Sequence, residues 1–250
     1  MNHGAAPAVN DEPGTEPAAL AARGLHDRTL AVIKAQVPPG PGVRVLDIGA
    51  GRGALSFQLK AAGYQVAACD LYPQDFQVAD VECRQVDADA HLPYEDASFD
   101  LVLAVELAEH IEDHVTLFSE VARVLRTDGR FVLTTPNVLT LKSRLRFLFT
   151  GYFYGFPPLD PAVRDPVSQH ITAHTLDRYR WRLAQCGLEL VELHTDKYQR
   201  TSMALSFLIP LIRFKTWREH GDSALARAQN SGIALFGRTL VAIARKRRGD

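Results

Sequence analysis

Apolar and polar positions along the first half of the chain predict strands that alternate with helices. Strands are predicted at about 45–48, 64–70, 82–86, 101–105 and 130–135, and helices at 18–36, 54–62 and 113–125. A further helix at 175–187 and strands at 188–193 and 240–244 follow. The run Leu101–Val105 has no polar face, which predicts a central strand buried on both sides. Short links between strand, helix and strand indicate right-handed parallel units.

Two stretches exceed this alternation, at about 138–168 and 198–232. The first mixes apolar and basic residues and continues into aromatic ones, whereas 203–217 is almost wholly apolar except for its basic end. Either stretch could pack as a helical cap over an acceptor pocket or lie in a membrane interface, and the two interpretations are compatible. Residues 1–17 lack large apolar side chains and are predicted to be a disordered tail before one domain at 18–250.

Three alternating glycines follow the first predicted strand, at Gly49, Gly51 and Gly53. Such a strand-to-helix turn exposes backbone N–H groups to a nucleotide-type cofactor, and a side chain there would block its approach. The pattern also fits the dinucleotide fingerprint G-x-G-x-x-A, with Asp70 near the expected distance. The glycines alone therefore leave a nicotinamide oxidoreductase open.

Composition narrows the classes of protein. The chain has 250 residues, 46% of them hydrophobic, and a net charge of −1, so we do not expect a nucleic-acid partner. Cys69, Cys83 and Cys186 show no metal-binding spacing and predict reduced thiols. The N-terminus does not have the order of a signal peptide, and no apolar run reaches the roughly 20 residues of a membrane span. We therefore expect a cytoplasmic protein, with membrane association as the alternative that the two apolar stretches raise.

Several motifs occur in a definite order: the glycine turn, Asp70, the Asp87 loop, Leu92-Pro93, Ser98-Phe99-Asp100, Glu109-His110 and Asp128-Gly129. In this order they resemble the class I S-adenosylmethionine-dependent methyltransferases over about residues 40–195 and the terminal strand. The resemblance implies an α/β fold, a Rossmann-like doubly wound sheet of seven strands whose last strand is antiparallel. About 45 residues separate the last two predicted strands, so we expect helical cap insertions. Several motifs in this order are more specific than the glycines alone, so a dehydrogenase becomes the weaker interpretation.

The resemblance implies roles at matching positions. Asp47 and the glycine turn would hold the methionine part of S-adenosylmethionine, and Asp70 would accept hydrogen bonds from both ribose hydroxyls. Asp87, or Asp89 in its place, would take the adenine amino group while the Ala88 amide meets the ring. Two further residues complete the predicted cofactor-binding set: Leu71 and Val105.

The sequence Glu106-x-x-Glu109-His110, with His170 downstream, is similar to the metal-binding set of the ubiquinone-pathway O-methyltransferases and of the small-RNA 3'-terminal 2'-O-methyltransferases. The resemblance implies a divalent metal, Mg or Zn, that would bind acceptor hydroxyls and favour their deprotonation. Relatives without a known metal also contain Glu-His here, so His110 could instead be a general base or a helix-start residue. Glu109 and His110 are the predicted catalytic residues, and His170 is preferred over His174 on spacing.

These observations predict a methyltransferase that modifies an oxygen of a small or lipid-linked acceptor, such as a quinone precursor or a glycan. An RNA 3'-terminal 2'-O-methyltransferase is the first alternative, although the neutral charge speaks against it. A non-catalytic cofactor-binding partner of another enzyme is the second. The sequence predicts neither the oligomeric state nor the identity of the acceptor.

Overall fold

A seven-stranded sheet organises the computed structural model, which describes residues 16–248. The strand order is β3-β2-β1-β4-β5-β7-β6. The strands are β1 Arg44–Ile48, β2 Gln65–Asp70, β3 Cys83–Gln85, β4 Phe99–Ala104, β5 Leu125–Pro136, β6 Leu188–Thr195 and β7 Thr239–Lys246. Strands β1 to β5 pair in parallel, and β7 is antiparallel to both β5 and β6. The predicted doubly wound sheet with an antiparallel last strand is confirmed.

Helices precede or follow most strands. They are α1 Leu25–Gln36, α2 Ala54–Ala61, α3 His114–Val124, α4 Leu141–Thr150, α5 Leu176–Gln185, α6 Arg200–Ala204, α7 Ile209–His220, α8 Ala224–Gln229 and α9 Gly232–Phe236. Helix α4 lies between β5 and β6, and α6 to α9 lie between β6 and β7. These two insertions correspond closely to the stretches that exceed the regular alternation in the sequence.

The first helix is shorter than the predicted range 18–36, because it begins only at Leu25. Gly24 adopts a left-handed conformation with φ 79°, which breaks the helical path immediately before α1. Residues 1–15 of the predicted disordered tail lie outside the described residues. Pro17 is buried, and Gln58 donates a hydrogen bond to the Glu16 carboxylate at 2.6 Å.

The core lies on both faces of the sheet, as β4 shows. Leu101 and Leu103 join the apolar cluster that includes residues of α1 and α2, whereas Val102 and Ala104 join the cluster on the side of α3 and α5. All four side chains are fully buried. Successive side chains of a strand point to opposite faces, so the run needs apolar residues at every position. This confirms the prediction of a central strand.

One buried histidine lies in this core close to the carboxyl ends of the strands. His114 packs against Phe118, His174 and Tyr179, with ring centroids 5.5, 4.8 and 5.7 Å away. Burial, together with the neighbouring His174, lowers the pKa of His114 to about 4. The folded protein therefore holds a neutral imidazole here near neutral pH.

Acid should weaken the fold through this residue. Between the ordinary pKa of 6.5 and about 4, the unfolded chain binds a proton at His114 that the folded chain does not. The free energy of unfolding should thus fall by about 2 kcal/mol from pH 6.5 to 5. Urea unfolding of the wild type and of His114→Phe at pH 7 and pH 5 tests this, because the variant should lose that part of the pH dependence. Equal pH dependence in the two proteins would contradict the assignment.

Candidate active site

The turn after β1 brings backbone N–H groups to the edge of the sheet. Gly49, Gly51 and Gly53 have φ values of 72°, 54° and 88°, a region that residues other than glycine rarely adopt. The N–H groups of Gly49 and Ala50 both donate to the Cys69 carbonyl, at 2.8 and 3.2 Å. A Cβ at Gly49 would lie 3.0 Å from the Leu107 side chain. The turn is therefore fixed to the end of β2.

Asp70 holds this turn through both of its carboxylate oxygens. The Gly51 N–H donates to Oδ2 at 2.8 Å, and the Tyr72 N–H donates to Oδ1 at 2.9 Å. Each oxygen of a carboxylate can accept more than one hydrogen bond, so two positions for hydroxyl donors remain. The carboxylate is thus oriented by the backbone before any ligand binds.

Asp47 and Gly53 lie under the turn. Asp47 is 2% exposed and accepts a hydrogen bond from the Ser56 hydroxyl at 2.6 Å. Burial raises its pKa to about 6, and the charge of Asp70 adds to the increase. A Cβ at Gly53 would meet Val78 and Phe76 at 2.6 and 2.7 Å. Neither Asp47 nor Gly53 lines the two adjoining cavities, and their predicted part in holding the methionine end of the cofactor stays a prediction.

Two adjoining cavities open beside the turn, of about 720 and 110 Å³. They share five lining residues: Gly49, Asp70, Leu107, His110 and Val167. Other predicted site residues on the larger cavity are Gly51, Val105, Glu106, Glu109 and His170. Those on the smaller one are Leu71, Asp87, Ala88 and Asp89. The predicted cofactor-binding and catalytic residues thus meet at one edge of the sheet.

The smaller cavity does not decide between Asp87 and Asp89. Both line it, and the Asp89 N–H donates to Asp87 Oδ1 at 3.1 Å. Partial burial raises the pKa of Asp89, and the charge of Asp87 adds to the increase. The assignment of the adenine amino group to Asp87 remains a prediction.

Backbone pairing brings together two segments that lie about 60 residues apart. The N–H groups of Ile171 and Thr172 donate to the Glu109 carbonyl at 2.9 and 3.0 Å. His110 Nδ1 lies 2.9 Å from the Gln169 carbonyl, which can only accept, so Nδ1 is the protonated nitrogen. These three bonds place His170 beside Glu109 and His110.

The ligand atoms of Glu109, His110 and His170 all lie within 4.8 Å of one another. His170 Nδ1 donates to the Gly155 carbonyl at 2.7 Å, as His110 Nδ1 does to Gln169. Hydrogen bonds to carbonyls at Nδ1 therefore leave Nε2 as the basic nitrogen of each ring in its neutral form. The two rings meet edge to face with centroids 4.9 Å apart.

Glu109 is the unusual member of this group, because its side chain is fully buried. Neither carboxylate oxygen makes a hydrogen bond of normal geometry to any residue between 16 and 248. Burial raises the pKa of Glu109 well above its usual range, and the charge of Glu106 raises it further, although the nearby Thr135 hydroxyl offsets part of the effect. A buried carboxylate in this state is costly unless a proton or a cation neutralises it.

Glu106 lines the same cavity but stands outside the three-residue group. Its backbone is left-handed, with φ 52°, which is uncommon for a residue other than glycine. The Thr134 hydroxyl accepts from the Glu106 N–H at 2.9 Å and donates to its Oε1 at 3.0 Å. Burial raises the pKa of Glu106, whereas the Thr134 hydrogen bond and Arg238 lower it.

The structure adds further residues to the lining of the larger cavity. Ala18, Leu20 and His26 line it, and a Cβ at Gly51 would lie 3.2 Å from Leu20. On another side, the Tyr72 hydroxyl donates to Asp165 at 3.0 Å. Tyr72 follows Asp70 by two residues, and this position was the available signal for it. The partners Thr134 and Gly155 had no sequence signal, since each acts through a contact across the fold.

Comparison with known proteins finds methyltransferases. Residues 46–133 match the family described as a methyltransferase domain. A ubiquinone biosynthesis O-methyltransferase of Xanthomonas oryzae pv. oryzae is 34% identical over 105 residues, which cover 38% of this chain and 44% of that enzyme. A demethylmenaquinone methyltransferase of Tropheryma whipplei is 28% identical over 165 residues, which cover 59% and 67% of the respective chains. The chain thus spans less than half of the length of the first relative.

A solved structure extends the likeness to almost the whole chain. The crystal structure of a SAM-dependent methyltransferase from Archaeoglobus fulgidus has a TM-score of 0.58 at 20% identity and covers 90% of this chain and 96% of its own. At this identity the likeness establishes the fold. Residues 46–133 thus match a methyltransferase domain, and the chain as a whole is similar in fold to the class I S-adenosylmethionine-dependent methyltransferases. Within that class it resembles the ubiquinone-pathway O-methyltransferase type.

Loss of the Thr134 hydroxyl should lower the stability of the folded protein. Thr134→Val keeps the shape of the side chain but leaves the Glu106 N–H and Oε1 without their partner. We expect a loss of about 2 kcal/mol in the free energy of unfolding. Thr134→Ser is the matched control, because it keeps the hydroxyl and loses only a methyl group. Urea unfolding of both variants measures the difference, and a valine variant as stable as the serine variant would refute this role.

Proposed function

We propose that this protein transfers a methyl group from S-adenosylmethionine to an oxygen of a small or lipid-linked acceptor, of the quinone-precursor or glycan type. One observation supports this most directly: the cofactor turn and the group Glu109, His110 and His170 line the same cavity. A donor held at the turn would lie beside groups that can accept a proton. The names of the quinone-pathway relatives support the acceptor class.

The cofactor assignment follows the two cavities. The methionine part would lie against the glycine turn, with the ribose at Asp70 and the adenine in the smaller cavity beside Ala88. Asp70 suits ribose because the Gly51 and Tyr72 N–H groups already orient its oxygens. Preorganised acceptors lower the entropic cost of binding.

The reaction needs orientation and one proton acceptor. The acceptor oxygen attacks the methyl carbon in line, the new C–O bond forms as the C–S bond breaks, and the electron pair of that bond goes to sulfur, which leaves S-adenosylhomocysteine. The proton of the acceptor hydroxyl passes to a histidine Nε2 of the cluster, at His110 or His170. Nδ1 of each ring faces a backbone carbonyl, so the proton would be accepted at Nε2.

The same residues also fit a divalent metal, and in that case the ion, instead of a histidine Nε2, would activate the acceptor hydroxyl. Two imidazoles with basic Nε2 atoms and one buried carboxylate without a normal hydrogen bond form a suitable donor set, and backbone carbonyls at Nδ1 are the usual outer partners of metal-binding histidines. Glu109, His110 and His170 would hold the ion, with Glu106 on the same cavity wall. Imidazole ligands suit Zn²⁺ better than Mg²⁺. A bound ion would lower the pKa of the acceptor hydroxyl.

Methyl transfer is tested with labelled S-adenosylmethionine and a panel of hydroxylated quinone precursors and glycans, including lipid-linked ones. The proposal predicts a labelled product whose label is on oxygen. Binding of S-adenosylhomocysteine without turnover on any acceptor would favour a non-catalytic cofactor-binding protein. An increase of the melting temperature by NAD instead of S-adenosylhomocysteine would favour an oxidoreductase.

Substitution of Asp70 should remove cofactor binding. In Asp70→Asn the amide nitrogen must face the N–H of either Gly51 or Tyr72, since both oxygens of the wild-type side chain accept from backbone donors. We expect the affinity for S-adenosylhomocysteine to fall by at least about 100-fold. Isothermal titration measures it, with Asp80→Asn, an exposed aspartate away from both cavities, as the control. Normal affinity in the Asp70 variant would invalidate this placement of the ribose.

Substitution of Glu109 should raise the stability of the metal-free protein and remove metal binding. Glu109→Gln removes a buried charge next to Glu106, so the metal-free protein should melt about 2–4 °C higher than the wild type. Zinc or manganese should raise the melting temperature of the wild type and of Glu112→Gln, an exposed neighbour, but not that of Glu109→Gln. A wild type whose melting temperature does not respond to any divalent ion would exclude the metal interpretation and leave cofactor binding untouched.

A further inference from the structure

Helix α7 is exposed along its whole length, since none of its residues is buried. Four large apolar side chains on α7 and in the short 3₁₀ turn before it face solvent. Their exposed fractions are 71% for Phe207, 59% for Leu211, 56% for Phe214 and 60% for Trp217. Scattered apolar residues are ordinary on a surface, but a contiguous group of this size marks an interaction site.

The helical period places these apolar side chains on the face of α7 that points to solvent. Positions 207, 211 and 214 lie on one stripe, with 217 beside them. On the opposite face the Thr216 hydroxyl accepts a hydrogen bond from Asn230 at 3.1 Å, and Ile212 is half-buried. With this contact the apolar stripe lies on the side of α7 that faces away from Asn230. The usual amphipathic arrangement is therefore reversed.

A second exposed apolar group belongs to the same helical cap. Phe147, Leu148 and Phe149 at the end of α4 are 46, 72 and 80% exposed. Arg144 of α4 donates to the Asn230 side chain at 2.8 Å, and Asn230 also contacts Thr216 of α7. One asparagine thus connects the two helices. We call the outward residues of α7 and of the turn before it the cap surface.

Charge distinguishes this surface from the rest of the molecule. Helix α7 contains three basic residues, Arg213, Lys215 and Arg218, against one acidic residue, Glu219, and 141–156 contain three basic residues and no acidic one. The whole chain, by contrast, has a net charge of −1. On the helical wheel Arg213 and Lys215 flank the apolar stripe of α7 on its two sides. Long cationic side chains beside apolar ones are typical of helices that lie in a membrane interface.

We propose that the cap surface docks on a bilayer that contains anionic phospholipid. The aromatic and aliphatic side chains would enter the boundary between headgroups and acyl chains, while Arg213 and Lys215 would meet the lipid phosphates. No helix between residues 16 and 248 is long and apolar enough to cross a membrane, so the contact is peripheral. A second copy of the chain is a poorer occupant, because a symmetric interface would oppose two surfaces of like charge. The proposal does not depend on methyl transfer.

Vesicle sedimentation of the full-length protein tests the charge and the apolar contribution separately. The wild type should sediment with vesicles of phosphatidylglycerol and phosphatidylcholine, and less with phosphatidylcholine alone. The double variant Arg213→Glu, Lys215→Glu and the double variant Phe214→Ser, Leu211→Ser should each reduce binding by about tenfold or more. Because these side chains are exposed, melting temperatures should stay close to that of the wild type. Trp181→Ser is the matched control, since Trp181 is 50% exposed on α5 and lies near two arginines.

Tryptophan fluorescence locates the contact. The chain has two tryptophans, Trp181 and Trp217. In Trp181→Phe the remaining Trp217 should shift its emission to the blue when anionic vesicles are added and should be quenched by brominated lipid. In Trp217→Phe the emission of Trp181 should not change. The reverse pattern, equal sedimentation of the wild type and both double variants, or no binding to anionic vesicles would overturn the proposal. Self-association that is lost in Phe214→Ser, Leu211→Ser would assign the surface to a second copy instead.

Discussion

The candidate active site depends on the backbone pairing between the segment that follows β4 and the segment at 169–172. The Glu109 carbonyl accepts from Ile171 and Thr172, and His110 donates to Gln169, so two stretches about 60 residues apart share one small region. Without these bonds His170 would belong to a loop with no fixed position. With them, two histidines and one glutamate meet within 4.8 Å, directly beside a turn suited to a nucleotide-type cofactor.

This arrangement places two carboxyl groups in surroundings that disfavour their charged forms. Glu106 and Glu109 are two carboxyl groups near each other, and the pKa of each is raised mainly by burial. Glu106 also has a left-handed backbone that the Thr134 hydroxyl holds in place. The neighbouring strands β4 and β5 are deeply buried, and their packing can offset such local costs. A site of this kind gains stability when a proton or a cation neutralises it.

The two insertions add helices and exposed apolar surface to the regular alternation of strands and helices. The first contains α4, whose end is exposed and apolar, and it is followed directly by His170, which lines the cavity. The second presents the apolar stripe of α7 to solvent and is tied to the first through Asn230. The proposed acceptor site and the proposed membrane contact thus lie in or next to the inserted segments. A lipid-linked acceptor would be consistent with both.

The sequence by itself determined the alternation of strands and helices, the burial of β4 on both faces and the position of the glycine turn. Each follows from a local period or from a backbone conformation that only glycine adopts readily. The tertiary structure alone decided that α1 begins at Leu25, that the buried Asp47 accepts a hydrogen bond from Ser56 of α2, and that Thr134 and Gly155 orient Glu106 and His170. It also decided that the apolar side of α7 faces solvent, although its composition suits a buried helix equally well. The reason is physical: a local pattern records how apolar a segment is, whereas contacts between distant residues depend on how the elements pack in three dimensions.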